Sequence, residues 1–146
     1  MTAQPLTSLP ALDTTTTRTV IVIDRALPKG LAANAAGVLA ITLGVHRPNL
    51  VGPDFEDVDG RMHLGLFPTG LPILGADAAE LPALREAAQS NGLLVVDMPA
   101  PGQRTNDYDE FRTAVASESD LKYLGILVSG PPKPVRAVTG QLGLLR

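Results

Sequence analysis

The chain has 146 residues, no cysteine and a net charge of −3. That is one-domain length, and it excludes disulfides, thiolate metal sites, thiol nucleophiles and the lysine and arginine surplus of a general nucleic-acid binder. Hydrophobic residues make up 45% and charged ones 18%, which excludes a disordered chain, while 3% aromatics leave the core to Leu, Val, Ile and Ala.

Residues 1–17 hold Pro5, Pro10 and a Thr14–Thr17 run without periodicity; they are expected to be a disordered, mobile arm ahead of a domain over residues 18–146. No apolar run approaches the roughly 18 residues that span a bilayer, and the start lacks a basic leader, so a cytoplasmic protein without a membrane partner is expected.

Thr19–Ile23 is an apolar run that ends on Asp24. Leu27-Pro-Lys-Gly30 then turns into a helix predicted from about Leu31 to Leu43, stopped by Gly44. Its first half is small (Ala32, Ala33, Ala35, Ala36, Gly37), which suits close approach to a sheet. Sharing a face with Val38 and Ile41, Asn34 is expected to point toward that sheet. Asp59-Gly60, inside Phe55–His63, is a two-residue hairpin signal. Asp57-Val-Asp-Gly60 hints at a calcium loop, but Phe55 and Leu66 stand at its first and last ligand positions; the hairpin is preferred and no metal is expected.

Leu71–Leu74 reads as an edge strand, because Pro72 cannot donate to a ladder. Asp77 with Glu80 forms a capping-box pattern before a helix that closes at Asn91-Gly92. Leu93–Val96 is an apolar run ending on Asp97. A helix from about Tyr108 to Ser117 is capped by Asn106 or Asp107, and Tyr123–Val128 is an apolar run ending in Ser129-Gly130.

The three apolar runs read as central strands covered on both faces. Separated by helices, they predict a single α/β domain with a small, mixed, mostly parallel sheet and helices on both faces. Right-handed crossovers would bring the three polar strand ends to one edge, and open α/β sheets place their ligands at such an edge.

The candidate residues follow from that expectation. Asn34, Asp97 and Lys29 are the candidate catalytic groups. Asp97 is either a general base at a strand end or a loop-capping carboxylate. Asn34 is either a ligand-binding amide or a partner for loop backbone. Lys29 is either an anion-binding cation beside a helix N-terminus or a solvated turn lysine. Asp24, His63, Ser129, Gly130 and Lys133 are candidate binding residues. Against these stand a turn cap for Asp24, packing for His63, and a tight Ser129-Gly130-Pro131 turn. The chain has two histidines, His46 and His63, the residue type whose ordinary pKa lies nearest neutrality.

Ile21-Val-Ile-Asp24 through Lys29-Gly-Leu-Ala-Ala-Asn-Ala-Ala36 resembles the opening strand, turn and helix of the archaeal and eukaryotic peptidyl-tRNA hydrolases. Leu124-Gly-Ile-Leu-Val-Ser-Gly-Pro131 with Val135–Leu142 resembles their closing strand, Gly-Pro turn and last helix. Over residues 18–146 the chain is most similar to the bacterial domain-of-unknown-function family 2000 of the same superfamily. Gly30–Ala36, Val51-Gly-Pro-Asp54, Asp59-Gly-Arg-Met-His63 and the stretch from Gly130 to Leu145 carry that likeness.

The resemblance implies a peptidyl-tRNA hydrolase II-like fold and a homodimer. It also sets Asn34 in the place of the family's glutamine, and Asp97 through Thr105 against its Asp-Ala-Gly-x-Thr segment, which adds Thr105 to the binding residues. In the hydrolases a lysine lies four residues before the glutamine; here Gly30 holds that place and Lys29 is one position earlier. Three readings follow. One is a hydrolase-like protein acting on or binding a small anionic acyl or amide ligand, without a cofactor. The second is a non-catalytic binding or oligomerisation module. The third is a genuine peptidyl-tRNA hydrolase, for which the acidic balance is a poor match to tRNA.

Overall fold

The computed structural model describes residues 17–103 and 105–146; the expected arm, apart from Thr17, lies outside them. β1 (Arg18–Asp24) leads through a short turn into α1 (Lys29–His46), and the hairpin β2 (Phe55–Glu56) and β3 (Met62–His63) follows, joined by the five residues 57–61 rather than by the expected two-residue turn at Asp59-Gly60. Next come β4 (Ile73–Ala76), α2 (Leu81–Ser90), β5 (Leu94–Pro99), α3 (Tyr108–Ser117), β6 (Tyr123–Gly130) and α4 (Pro132–Thr139). No helix among the described residues is long and apolar enough to cross a membrane.

A four-stranded sheet, ordered β4-β1-β6-β5, separates two apolar layers. Side chains alternate across a strand, so Val20 and Val22 of β1 meet Leu81, Leu84, Val135 and Val138 of α2 and α4. Ile21 and Ile23 meet Ala32, Ala35, Leu39 and Leu43 of α1 on the other face. A strand buried on both faces has no polar alternation, which is why β1 and β6 read as continuous apolar runs.

Local signals set the element ends. α1 runs through Gly44, which expectation had made its stop. Pro48 ends it instead, forcing Arg47 out of helical geometry (φ −138°, ψ 61°). The Asp77–Glu80 capping box forms on a short 3-10 turn ahead of α2, with Pro82 in the first helical turn, where a missing N–H costs nothing. Asn91 closes α2, Gly92 takes φ +69°, and Asp107 caps α3 by accepting the Glu110 N–H at 3.0 Å. The edge strand expected over Leu71–Leu74 forms two residues later, at β4.

Two expectations about the sheet are corrected. Only β1 and β4 pair in parallel; β6 runs antiparallel to both β1 and β5. The cause lies in α3, which has no buried residue. It does not lie across a face of the sheet as a crossover helix would, so the chain simply reverses after β5. β5 is therefore an edge strand, with Leu94, Val95 and Val96 only half-buried.

The reversal also separates the polar strand ends. Ser129 sits opposite Thr19 and Leu94, at the start of β1 and β5. Asp24 and Asp97 lie toward the far ends of their strands. Ser129, Gly130 and Lys133 thus belong to the opposite edge from Asn34 and Asp97. At the far side of the sheet, residues 143–145 cover β4, with Gly75 N–H bonded to the Gly143 carbonyl and Leu145 N–H to that of Ile73.

Leu127 of β6 is fully buried in the α1-side layer. Leu127→Ala should lower unfolding free energy by about 2–5 kcal/mol in a urea titration, with little change in the slope.

Candidate functional site

α1 is apolar on every side, so its periodicity does not reveal which face meets the sheet. Ala32, Ala35, Leu39 and Leu43 do. Asn34 lies some 200° around the helix from Ala32 at 100° per residue, and it is exposed. The expectation that it faces the sheet is corrected: with Val38 and Thr42 it forms one wall of a lateral cavity. β5 supplies Asp97, Met98 and Pro99 as a second wall, and Thr105, Asn106, Asp107, Tyr108 and Phe111 close the third side.

The cavity holds about 350 Å³, within the range of small-molecule sites. Asn34, Asp97 and Thr105, drawn from three separate segments, line it together. Thr105 also orders the rim: its hydroxyl accepts the Asp107 N–H at 3.0 Å and donates to Glu110 Oε2 at 3.0 Å. Tyr108 and Phe111 form a tilted aromatic pair with centroids 5.8 Å apart.

Sequence reasoning missed Arg85. This α2 residue donates from Nε to Asp97 Oδ2 at 2.8 Å, and its guanidinium stands 5.7 Å from the Tyr123 ring centre. Both side chains of the pair are 23% exposed, so the attraction is less screened than on open surface. The hydrogen bond to Asp97 raises the Arg85 pKa above its ordinary value, against the opposing effect of burial. A fixed cation therefore holds the Asp97 carboxylate on the α2 face of the sheet, the face of its cross-strand partner Ile126 and opposite the one α1 covers. The arginine gave no sequence signal because its partner sits on an element that only the sheet topology brings near.

The other candidates lie apart from the cavity. Lys29 opens α1, exposed, five residues before Asn34 and so roughly 140° away around the helix; among the described residues no basic one lines the cavity. Asp24 accepts the Ala26 N–H at 2.9 Å, the hydrogen bond of a turn cap. Ser129 bonds to the Thr19 hydroxyl at 2.8 Å, a buried pair within the sheet. Gly130 packs close to Leu93: a Cβ there would sit 2.6 Å from Leu93 Cδ2. Lys133 is exposed on α4. A second concavity, of about 410 Å³ between α2 and α4, is floored by Leu84, Ala87 and Val138 and holds none of these candidates. Among the described residues no group of three or more His, Cys, Asp or Glu side chains is placed to hold a metal ion.

His63 belongs to the hairpin. Its ring stacks on Phe55 at 5.2 Å, and Nε2 lies 2.8 Å from Asp57 Oδ2. Arg61 bonds to the same carboxylate oxygen at 2.9 Å from Nε and donates its N–H to Oδ1 at 3.0 Å. These partners, His63 first, hold the Asp57 pKa at about 2 against an ordinary 3.8. The folded value is the lower one, so what this cluster adds to hairpin stability is complete above about pH 4 and lost as pH falls toward 2. A carboxyl NMR titration should place the Asp57 midpoint near 2, and His63→Ala should move it upward toward 3.8.

The comparisons with known proteins fit this architecture. A solved structure of a protein of unknown function from Agrobacterium tumefaciens strain C58 superposes with a TM-score of 0.81 at 15% identity, covering 88% of this chain and 96% of that one. At that identity the likeness shows the shared fold alone. No curated protein matches the sequence. Residues 17–146 match the family described as protein of unknown function (DUF2000). The chain belongs to the DUF2000 family.

Proposed function

We propose that the protein binds a small, uncharged acyl or amide compound in the cavity between α1, β5 and α3, and that its fold is of the peptidyl-tRNA hydrolase II type. The observation behind the ligand reading is that Asn34 and Asp97 line one cavity from two different elements. A carboxamide from α1 supplies both a donor and an acceptor, which an amide or ester carbonyl and its neighbouring N–H require. Among the described residues, the charges around the cavity favour a neutral ligand over an anionic one. The lining carboxylates are Asp97, matched by Arg85, and Asp107, engaged at the α3 cap, and Lys29 stands off the lining.

In a hydrolytic reaction at this site, a water held in the cavity attacks the acyl carbon. The bond to the leaving nitrogen or oxygen breaks, and the proton taken from water passes to the leaving group. Asn34 donates its N–H to the carbonyl oxygen as negative charge develops there, and the Arg85–Asp97 pair, on the α2 face of β5, ties down the strand that forms the cavity's second wall. Peptidyl-tRNA is the poorer substrate for this chain: Gly30 stands in the lysine's place, and loss of one oxyanion donor commonly costs on the order of 100- to 1000-fold in rate.

The test is a panel of N-acetyl amino-acid amides and esters, read for both binding and turnover. Asn34→Ala should weaken binding roughly tenfold, the worth of one or two hydrogen bonds. Asp97→Asn, on the α2 face of β5, should leave binding within a few-fold. Binding by the wild-type protein without turnover would make the site a binding module. Failure of the whole panel to bind would overturn the ligand class.

A further inference from the structure

The aromatic residues of this chain divide by what they touch. There are three phenylalanines and two tyrosines. Phe67 packs against the α1-side layer, Tyr123 against the α2-side layer, and Phe55 stacks on His63. Tyr108 and Phe111 belong to neither layer; each has the other as its ring partner, with the planes tilted by 35°. The helix that carries them, α3, buries no residue. The pair therefore adds nothing to the core, and it lines the cavity instead.

The start of α3 fixes where these rings stand. Three residues apart, Tyr108 and Phe111 are neighbours on one helix face. The Phe111 N–H donates to the Asp107 carbonyl at 3.0 Å, and the Glu110 N–H donates to the Asp107 carboxylate at 3.0 Å. The Thr105 hydroxyl ties down the Glu110 side chain as well. Across the cavity are Val38 of α1, 43% exposed, and Met98 of β5. Apolar surface thus faces apolar surface, and removing such surface from water is what an apolar group gains by entering.

A polar group lies at a set distance from these walls. Asn34 precedes Val38 by four residues, about one turn and about 6 Å along the helix axis, and both line the cavity. A ligand that offers its carbonyl to the Asn34 amide lays the group one side chain away against Val38. A benzyl side chain on the residue bearing that carbonyl has a reach of this order. A cavity of about 350 Å³ lies near the lower end of ligand sites, which favours a single residue with its flanking amides over a longer peptide. A third ring beside two tilted ones finds the edge-to-face and offset contacts that aromatic groups prefer. An aliphatic chain of similar bulk gains the burial without that contact.

We propose that the ligand carries one uncharged aromatic side chain, seated between Val38 and the Tyr108–Phe111 pair. The inference rests on the reading of the cavity as an amide site and adds the group that sets its selectivity. Tyr108 and Phe111 determine specificity; they hold the side chain and stand apart from bond breaking.

The test is calorimetric titration with the N-acetyl amides of phenylalanine, leucine and glycine. The wild-type protein should bind the phenylalanine compound roughly ten- to hundredfold more tightly than the glycine compound, the worth of burying one ring. It should favour phenylalanine over leucine by roughly two- to tenfold. Phe111→Ala should cut the phenylalanine-to-glycine ratio to about threefold or less while the glycine compound binds as before. Tyr108→Ala, at a position 73% exposed, should remove the preference for phenylalanine over leucine. Both variants should keep the wild-type urea midpoint, since neither ring packs in an apolar layer. Equal wild-type affinity for phenylalanine and glycine, or a wild-type ratio kept by Phe111→Ala, would overturn the aromatic subsite and leave the amide reading standing. Failure of all three compounds to bind would overturn both.

Discussion

In the middle of the sheet Gly125 of β6 lies opposite Ile23 of β1, and a side chain at that glycine would sit 2.7 Å from Ile23 Cδ1 and 2.9 Å from the Val22 carbonyl. No rotamer relieves a clash with backbone, so this contact fixes both the residue and the closeness of the two strands. The pairing runs from Arg18–Gly130 to Ile23–Gly125, and both apolar layers are laid on it. α2 and α4 cover Val20, Val22, Ile126 and Val128; α1 covers Ile21, Ile23 and Leu127. Because β6 enters antiparallel, its carboxyl end carries Ser129 away from Asp24 and Asp97. The cavity then forms at the open side of β5 instead of across the strand ends.

Much of this was legible in the sequence, for physical reasons that differ by element. β1 and β6 announce themselves because burial on both faces removes polar residues from the pattern. The hairpin, the Asp77–Glu80 capping box, the Asn91-Gly92 stop and the Asp107 cap were legible because each is a local hydrogen-bonding device with its own residue requirement. Strand direction was not legible. It depends on whether the helix between two strands lies on the sheet, and α3, with its amphipathic sequence and no buried residue, gives no local sign that it does not.

The same limits apply to the candidate site. Asn34 and Asp97 could be named from the strand–turn–helix at the start and the polar residue after the third apolar run. Their meeting in one cavity is a tertiary fact. The face on which Asn34 lies was misread because α1 has no polar side to orient it, the property that leaves Val38 and Ile41 outside. Arg85 was invisible for a different reason: an arginine in mid-helix looks like any solvated charge until β5 brings a carboxylate within 2.8 Å of it.

The buried Thr19–Ser129 hydroxyl pair joins residues 110 apart in the sequence. The two strands at the centre of the sheet are thus the first and the last to be made. Loop closure over such a distance must precede any gain from the pairing, and domains dominated by long-range contacts fold slowly. During synthesis the apolar run Val20–Ile23 waits for its central partner until β6, about 110 residues later, has left the ribosome. β4, parallel to β1 and made earlier, is the strand able to shield it in the interval.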